Sequence, residues 1–376
     1  MVAASKKKVT ILHIIDSGEI AGGERYILDL MKNSSNEFKH IVVLPYSGPF
    51  EQMLKAHDYR YMVFSLAHKS SLRSILLLAH FIKKTQTDIV HTHGFRANFY
   101  GRIVAILARK KHVSTVHVSL FDYIDTPLLV RKVYILLERI LSFKTSKFIC
   151  ISKAMREDTI RIGIRSDKTC LIPNGIGLGR FYPRPALEEK KGELGITSHG
   201  PIIGTVGRMV SEKGHVYLVE ALNYLRAEWK DLRCLFIGGG PLLPELKKIS
   251  ISLGISDMCI FAGIREDVEF IYPVLDLFVL PSLREPFGLV LLEAMASGVP
   301  VIATASGGPL DFIKSDVNGI LVPAKDAKAM ASKISCLLSN RDKAKALAFE
   351  GRKTVERHFS AFSTVSKISE IYHSLT

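Results

Sequence analysis

The sequence predicts an α/β protein made of two tandem Rossmann-like domains, and three observations carry that expectation. The chain has 376 residues, more than a single hydrophobic core usually supports. Short β-branched runs alternate with helical stretches through both halves, the pattern of βαβ units around parallel sheets. The alternation stops after IPNGI, crosses a Pro-containing, charged segment at 181–200, and starts afresh at PIIGTVG.

In the first half VTILHII, HIVVLP, YMVFSL, DIVHTH, HVSTVHV and KFICIS read as strands, with helices at 23–33, 72–84, 96–109, 127–142 and 152–162. In the second half PIIGTVG, RCLFIGG, CIFAG, LFVLPS, VPVIAT and GILVP read as strands. Helices there are expected near 214–228, 241–254, 267–273, 288–297, 308–315 and 326–340. A last helix near 361–375 is expected to return to the first domain. The domains are accordingly drawn at 1–180 and 181–357, with 358–376 packing back. Ligands of such sheets bind beyond the carboxyl ends of the strands, so the loops after strands are where chemistry is sought.

Composition narrows the class. Hydrophobic residues make up 47% and charged residues 23%, which suits a globular chain and excludes disorder. Cys150, Cys170, Cys234, Cys259 and Cys336 show no C-x-x-C spacing, and the expectation is buried thiols in a reducing compartment. Lys6-Lys7-Lys8 before VTILHII resembles the start of a secretory signal, but His13 and Asp16 interrupt it too early. No apolar run reaches the roughly 20 residues of a spanning helix. The net charge of +15 is uneven: residues 1–180 hold 28 Lys+Arg against 14 Asp+Glu, residues 181–376 hold 23 against 22. The basic half therefore meets something the neutral half does not, with nucleic acid, an anionic lipid surface or an anionic acceptor as candidates. Nucleic acid is the weakest, because no binding module or aromatic-basic interleaving is present.

The most specific stretch is PSLREPFGLVLLEAMASGVP at 281–300. It ends a strand, turns through Pro286-Phe287-Gly288 and enters a helix. Backbone N–H groups of Gly288, Leu289 and Val290 would lie in the first helical turn, where unpaired donors and the helix dipole favour phosphate. Glu285 and Glu293 would accept hydrogen bonds from sugar and ribose hydroxyls; the bland alternative is a pair of solvated helix-face glutamates. After the first strand of the second half, Gly207-Arg208-Met209-Val210-Ser211-Glu212-Lys213-Gly214 offers two cations. His91-x-His93 puts two imidazoles on one strand face, but no third ligand follows and no metal is expected. His117, in STVHVS, is by itself more readily a satisfied hydrogen-bonding residue than a functional one. Gly238-Gly239-Gly240 lacks the G-x-G-x-x-G of a dinucleotide loop and reads as a turn.

With these residues in place, the chain resembles the retaining group 1 glycosyltransferases of GT-B architecture, along essentially its whole length. Glu285 and Glu293 match that family's Glu-x7-Glu motif, residues 207–214 its G-R-x(n)-K-G segment, and Gly22-Gly23 its glycine-rich loop after the first strand. The resemblance implies two domains facing a central cleft, an N-terminal acceptor-binding domain and a C-terminal nucleotide-sugar-binding domain. It implies Arg208 and Lys213 on the donor diphosphate in place of a metal, with no cofactor. Donor contacts are also expected from Gly22 and Gly23, whose small size lets backbone approach the phosphates, and from Phe287, Gly288, Leu289, Val290 and the backbone at Ile264. His117 is implied beside the transferred sugar, and His93 on the acceptor side.

The expected reaction is transfer from a nucleotide-sugar donor, a UDP-sugar first and a GDP-sugar next, to a lipid-linked or other anionic glycan acceptor. Cell-surface polysaccharide, lipopolysaccharide or glycolipid synthesis would be its setting. The basic helical stretches 72–84 and 127–142 lead to the expectation of a cytoplasmic protein peripheral on the inner face of the membrane. A catalytically silent nucleotide-sugar-binding sensor or partner, and an epimerase or phosphorylase on the same fold, are the competing readings.

Overall fold

Thirteen parallel strands in two sheets carry the chain, in a computed structural model that describes residues 8–64, 72–122, 127–197 and 199–376. Lys6 and Lys7 of the basic cluster, and the end of the YMVFSL run, lie outside the described residues.

The first unit comprises Met1–Asn174 together with Ala361–Thr376. Its strands are β1 Val9–Ile15, β2 Phe38–Leu44, β3 Tyr61–Val63, β4 Ile89–His93, β5 Lys111–Val116, β6 Lys147–Cys150 and β7 Thr169–Leu171, ordered β3-β2-β1-β4-β5-β6-β7. Side chains alternate between faces along a strand. Ile11, Val42, Leu44, Ile89, Val113 and Ile149 fill the core on one face, with Ile368 and Tyr372 of the C-terminal helix Ala361–Leu375. Leu12, Ile14, Ile41, Val43 and Val90 fill the core on the other, against Leu78, Ile82 and Val104. Both faces are covered, which is why apolar residues stand at successive positions such as Ile41–Leu44, Ile89–Val90 and Phe148–Cys150, while β4 and β5 also bury His and Thr.

The second unit is Gly175–Ser360. Its strands are β8 Ile202–Val206, β9 Arg233–Ile237, β10 Cys259–Gly263, β11 Leu277–Leu280, β12 Val301–Thr304 and β13 Ile320–Val322, ordered β10-β9-β8-β11-β12-β13. The GT-B expectation of paired parallel α/β sheets holds. Helices Pro49–Ala56 and Arg341–His358 and the short β7 were not expected from the sequence. The long helix Arg341–His358 is polar, with only Leu347, Ala348, Gly351 and Val355 buried, so its apolar signal is faint. The five cysteines are free thiols. Among the described residues no helix is long and apolar enough to cross a membrane.

Candidate active site

In the second unit the loops after β8 and β11 are fastened to each other. Leu283 N–H and Arg284 N–H donate to the Glu212 carbonyl at 2.7 and 3.2 Å. Gly214, at φ +61°, passes so close to the Pro281 carbonyl that a Cβ would lie 2.2 Å from it. Only glycine tolerates both the left-handed conformation and that approach. The result brings Lys213 to Glu285, which are 72 residues apart in sequence: Nζ donates to Oε2 at 2.7 Å, and the Ser282 hydroxyl donates to the same oxygen at 2.8 Å. Glu285 is 7% exposed, so the solvated-surface alternative fails for it.

A third loop holds Glu285 from behind. Gly308 N–H donates to the Glu285 carbonyl at 2.8 Å, and Gly307, at φ +63°, leaves no room for a Cβ against that carbonyl. Ser306-Gly307-Gly308 is not among the residues singled out above; two adjacent glycines in the loop after β12 are the signal for it.

Glu285 precedes the helix Leu289–Ala296 by a non-helical turn, with Gly288 at φ +97° as its N-cap. The segment from Glu285 to Glu293 is therefore not one continuous helix. Leu289 and Val290 form the first turn, while Phe287 is 2% exposed and packs on Phe312 and Phe359. Glu293 is 4% exposed and accepts a hydrogen bond from the Tyr272 hydroxyl at 2.8 Å. Arg208 is exposed on the loop after β8, and Lys213 keeps a quarter of its side chain open. Ile264 stands exposed after β10, whereas the neighbouring Arg265 is bound to Asp267 and Glu193. His215 was not foreseen: burial, with Lys213 nearby, draws its imidazole down to about 4.

In the first unit, Gly22 and Gly23 open the helix Gly22–Asn33 and are not a free loop. A Cβ on Gly23 would lie 3.9 Å from the His117 ring, just beyond β5. Asp16, directly after β1, accepts from the backbone N–H of Arg96 at 2.9 Å and from that of Ala97, and so caps the helix Phe95–Ala108. Burial raises its carboxyl to about 6.

Register gathers imidazoles on one sheet face. His13 lies opposite His91, Ile15 opposite His93, and His93 opposite Thr115. His93 Nδ1 is hydrogen-bonded to His117 Nε2 at 3.2 Å, His93 Nε2 to His13 Nδ1 at 3.1 Å, and His13 Nε2 to His40 Nδ1 at 2.9 Å. His91 bonds the Tyr372 hydroxyl at 2.6 Å and the Thr115 hydroxyl at 2.7 Å. The third imidazole beside the His91-x-His93 pair thus comes from β1, upstream. Nitrogens of His13, His91 and His93 lie within 4.8 Å of one another, the spacing of a possible metal cluster. Both nitrogens of each of these rings are already engaged with protein partners, so no set of free lone pairs converges on one point. Burial holds His117 and His40 at about 4 and His91 at about 3, and lowers His13 and His93 strongly. These rings are neutral at physiological pH.

Comparison with known proteins bears on both units. The family described as Glycosyltransferase Family 4 matches residues 20–180, and that described as Glycosyl transferases group 1 matches residues 187–354. The chain is 28% identical over 382 residues to an Escherichia coli UDP-Gal:alpha-D-GlcNAc-diphosphoundecaprenol alpha-1,3-galactosyltransferase, covering 98% of each. It is 30% identical to the putative glycosyltransferase EpsD of Bacillus subtilis, covering 76% of each. Among solved structures, Anabaena HepE in complex with UDP and glucose superposes with TM-score 0.88 at 23% identity, covering 97% of this chain and 100% of that one.

Proposed function

The chain belongs to the group 1, family 4 glycosyltransferases, a retaining family, and from that premise we propose that it moves a sugar from a UDP-sugar onto a lipid-linked or other anionic glycan. The observation that carries the proposal is the buried Glu285 held by Lys213 and Ser282 at the carboxyl end of β11. A carboxylate so fixed is preorganised to accept hydrogen bonds from sugar hydroxyls, and the ammonium beside it to meet a diphosphate. In transfer, the bond from the anomeric carbon to the donor diphosphate breaks and the acceptor oxygen bonds that carbon on the same face. The acceptor proton passes to the departing diphosphate.

Arg208 and Lys213 stabilise the growing negative charge without a metal, and Lys213 exchanges its contact with Glu285 for one with phosphate. Gly288, Leu289 and Val290 offer backbone N–H groups to the diphosphate over Phe287, Glu293 takes the ribose hydroxyls, and the backbone at Ile264 meets the base. In the first unit His117 serves the transferred sugar and His93 the acceptor, while Gly22 and Gly23 let the backbone approach the donor phosphates. UDP is favoured over GDP by the donor in the name of the Escherichia coli relative and by the nucleotide in HepE. A lipid diphosphate acceptor, in polysaccharide or lipopolysaccharide synthesis, takes support from the same relative.

An anionic membrane surface fits the first unit. Leu129, Val133, Leu136 and Ile140 recur at helical spacing along one side of Leu128–Leu141 and are all exposed, Leu129 to 75%, with Lys132 beside them. Isothermal titration with UDP, GDP and ADP in EDTA tests the donor assignment: binding of UDP alone is expected. Binding of no diphosphate, or binding restored only by a divalent ion, overturns it and brings the silent-protein reading forward.

A further inference from the structure

The histidines of the first unit form a chain with a direction. Its three hydrogen bonds all join an Nδ1 to an Nε2: His40 Nδ1 to His13 Nε2, His13 Nδ1 to His93 Nε2, and His93 Nδ1 to His117 Nε2. A neutral imidazole carries one hydrogen, so one nitrogen donates and the other accepts. Head-to-tail connection then permits two arrangements only. Either all four rings are protonated at Nδ1, or all four at Nε2; any mixture sets two donors or two lone pairs against each other.

The far end chooses between them. His40 Nε2 is buried and has no hydrogen-bond partner among the described residues. In the all-Nε2 arrangement that atom carries an orphaned N–H, whereas in the all-Nδ1 arrangement it carries only a lone pair. Orphaned buried N–H groups are the rarer and costlier of the two. We propose that the His40–His13–His93–His117 chain fixes all four rings as Nδ1–H tautomers, so that His117 presents a hydrogen-bond donor at Nδ1 and is not a base there. His40, His13 and His93 are positioning residues acting through His117. Their rings also stack or tilt against one another, with His13 to His40 centroids 5.2 Å apart and His13 to His93 5.3 Å apart, which holds the order in place. The donor at Nδ1 suits a hydroxyl oxygen of the sugar or acceptor, a step that rests on the placement of His117 proposed above.

The test is nitrogen-15 NMR of the histidine-labelled full chain near pH 7.5, where protonated and bare ring nitrogens resonate far apart. The expected spectrum shows Nδ1 protonated and Nε2 bare in His13, His40, His93 and His117; protonation at Nε2 in any of them overturns the inference. His40→Asp places an acceptor-only group at the far end and is expected to reverse His13, His93 and His117 to Nε2–H. It should lower transfer about tenfold, the loss of one hydrogen bond, with the affinity for UDP unchanged. Reversal of the tautomers without loss of transfer refutes the role of His117 while the chain stands. Failure of His40→Asp to reverse them refutes the chain itself.

Discussion

Acid should unfold the first unit before the second, and the histidine cluster sets the size of the effect. His40 and His117 are held at about 4 and His91 at about 3, against about 6.5 for an exposed imidazole. Below pH 6.5 the unfolded chain therefore binds protons that the native rings refuse. Stability is complete above pH 6.5, falls as pH drops below it, and stops falling once the folded-state values are passed. Between pH 7.5 and pH 5.0 linkage gives about 2 kcal/mol for each of the three, on the order of 6 kcal/mol if they titrate independently. His13 and His93 add to the same sign.

Asp16, raised to about 6, works in the opposite direction: its folded form takes up a proton first, returning about 1 kcal/mol over the same interval. Glu24, also raised by burial, has the same sign as Asp16. A net loss of about 4 to 5 kcal/mol is large against the roughly 5 to 15 kcal/mol of a typical domain. Among the described histidines of the second unit, His215 carries a comparable shift, worth about 2 kcal/mol. Hydrogen exchange followed by mass spectrometry at the two pH values, corrected for intrinsic rates, reads each unit separately, and the fluorescence of Trp229 reports the second. Peptides from β1 and β4 should lose protection at pH 5.0 while Trp229 still reports a folded environment. Equal loss in both units, or none in β1, refutes the assignment of neutral buried rings.

Lys213→Ala removes the ammonium beside Glu285 and should weaken UDP binding by at least about tenfold, checked by titration calorimetry. Glu138→Ala leaves the fully buried Arg102, which Glu138 pairs on both oxygens, uncompensated; about 3 to 5 kcal/mol should be lost in urea denaturation. Gly307→Ala forces a Cβ to 2.2 Å from the Glu285 carbonyl at a left-handed φ, and should abolish transfer while the thermal midpoint falls only modestly. Leu129→Ser with Leu136→Ser should reduce cosedimentation with anionic vesicles and leave UDP binding intact.

Much of this protein is written locally. The β-branched runs and their helical spacers set two parallel sheets, because strands covered on both faces place apolar residues at successive positions, and the ends of 72–84 and 288–297 fall within a residue of the observed helices. The residues of 207–214 and 281–293 announce themselves by spacing, since glycine, cation and carboxylate sit at strand ends where a parallel sheet exposes its loops. Less visible is what holds them. Ser282 donating to Glu285, Gly307 and Gly308 behind it, and Tyr272 on Glu293 are partners distant in sequence or of unremarkable type.

The histidines show the division most clearly. His91-x-His93 advertises one strand face, but that His13, His40 and His117 share that face follows from strand order β2-β1-β4-β5 and from register, and Tyr372 reaches it from the C-terminal helix; no single segment encodes either. Sequence by itself determined the fold class and the residue types of the candidate site, because periodicity and loop composition are local. Tertiary structure alone decided which side chains are buried, paired and neutral, because desolvation and hydrogen bonding depend on neighbours brought together from up to 281 positions away.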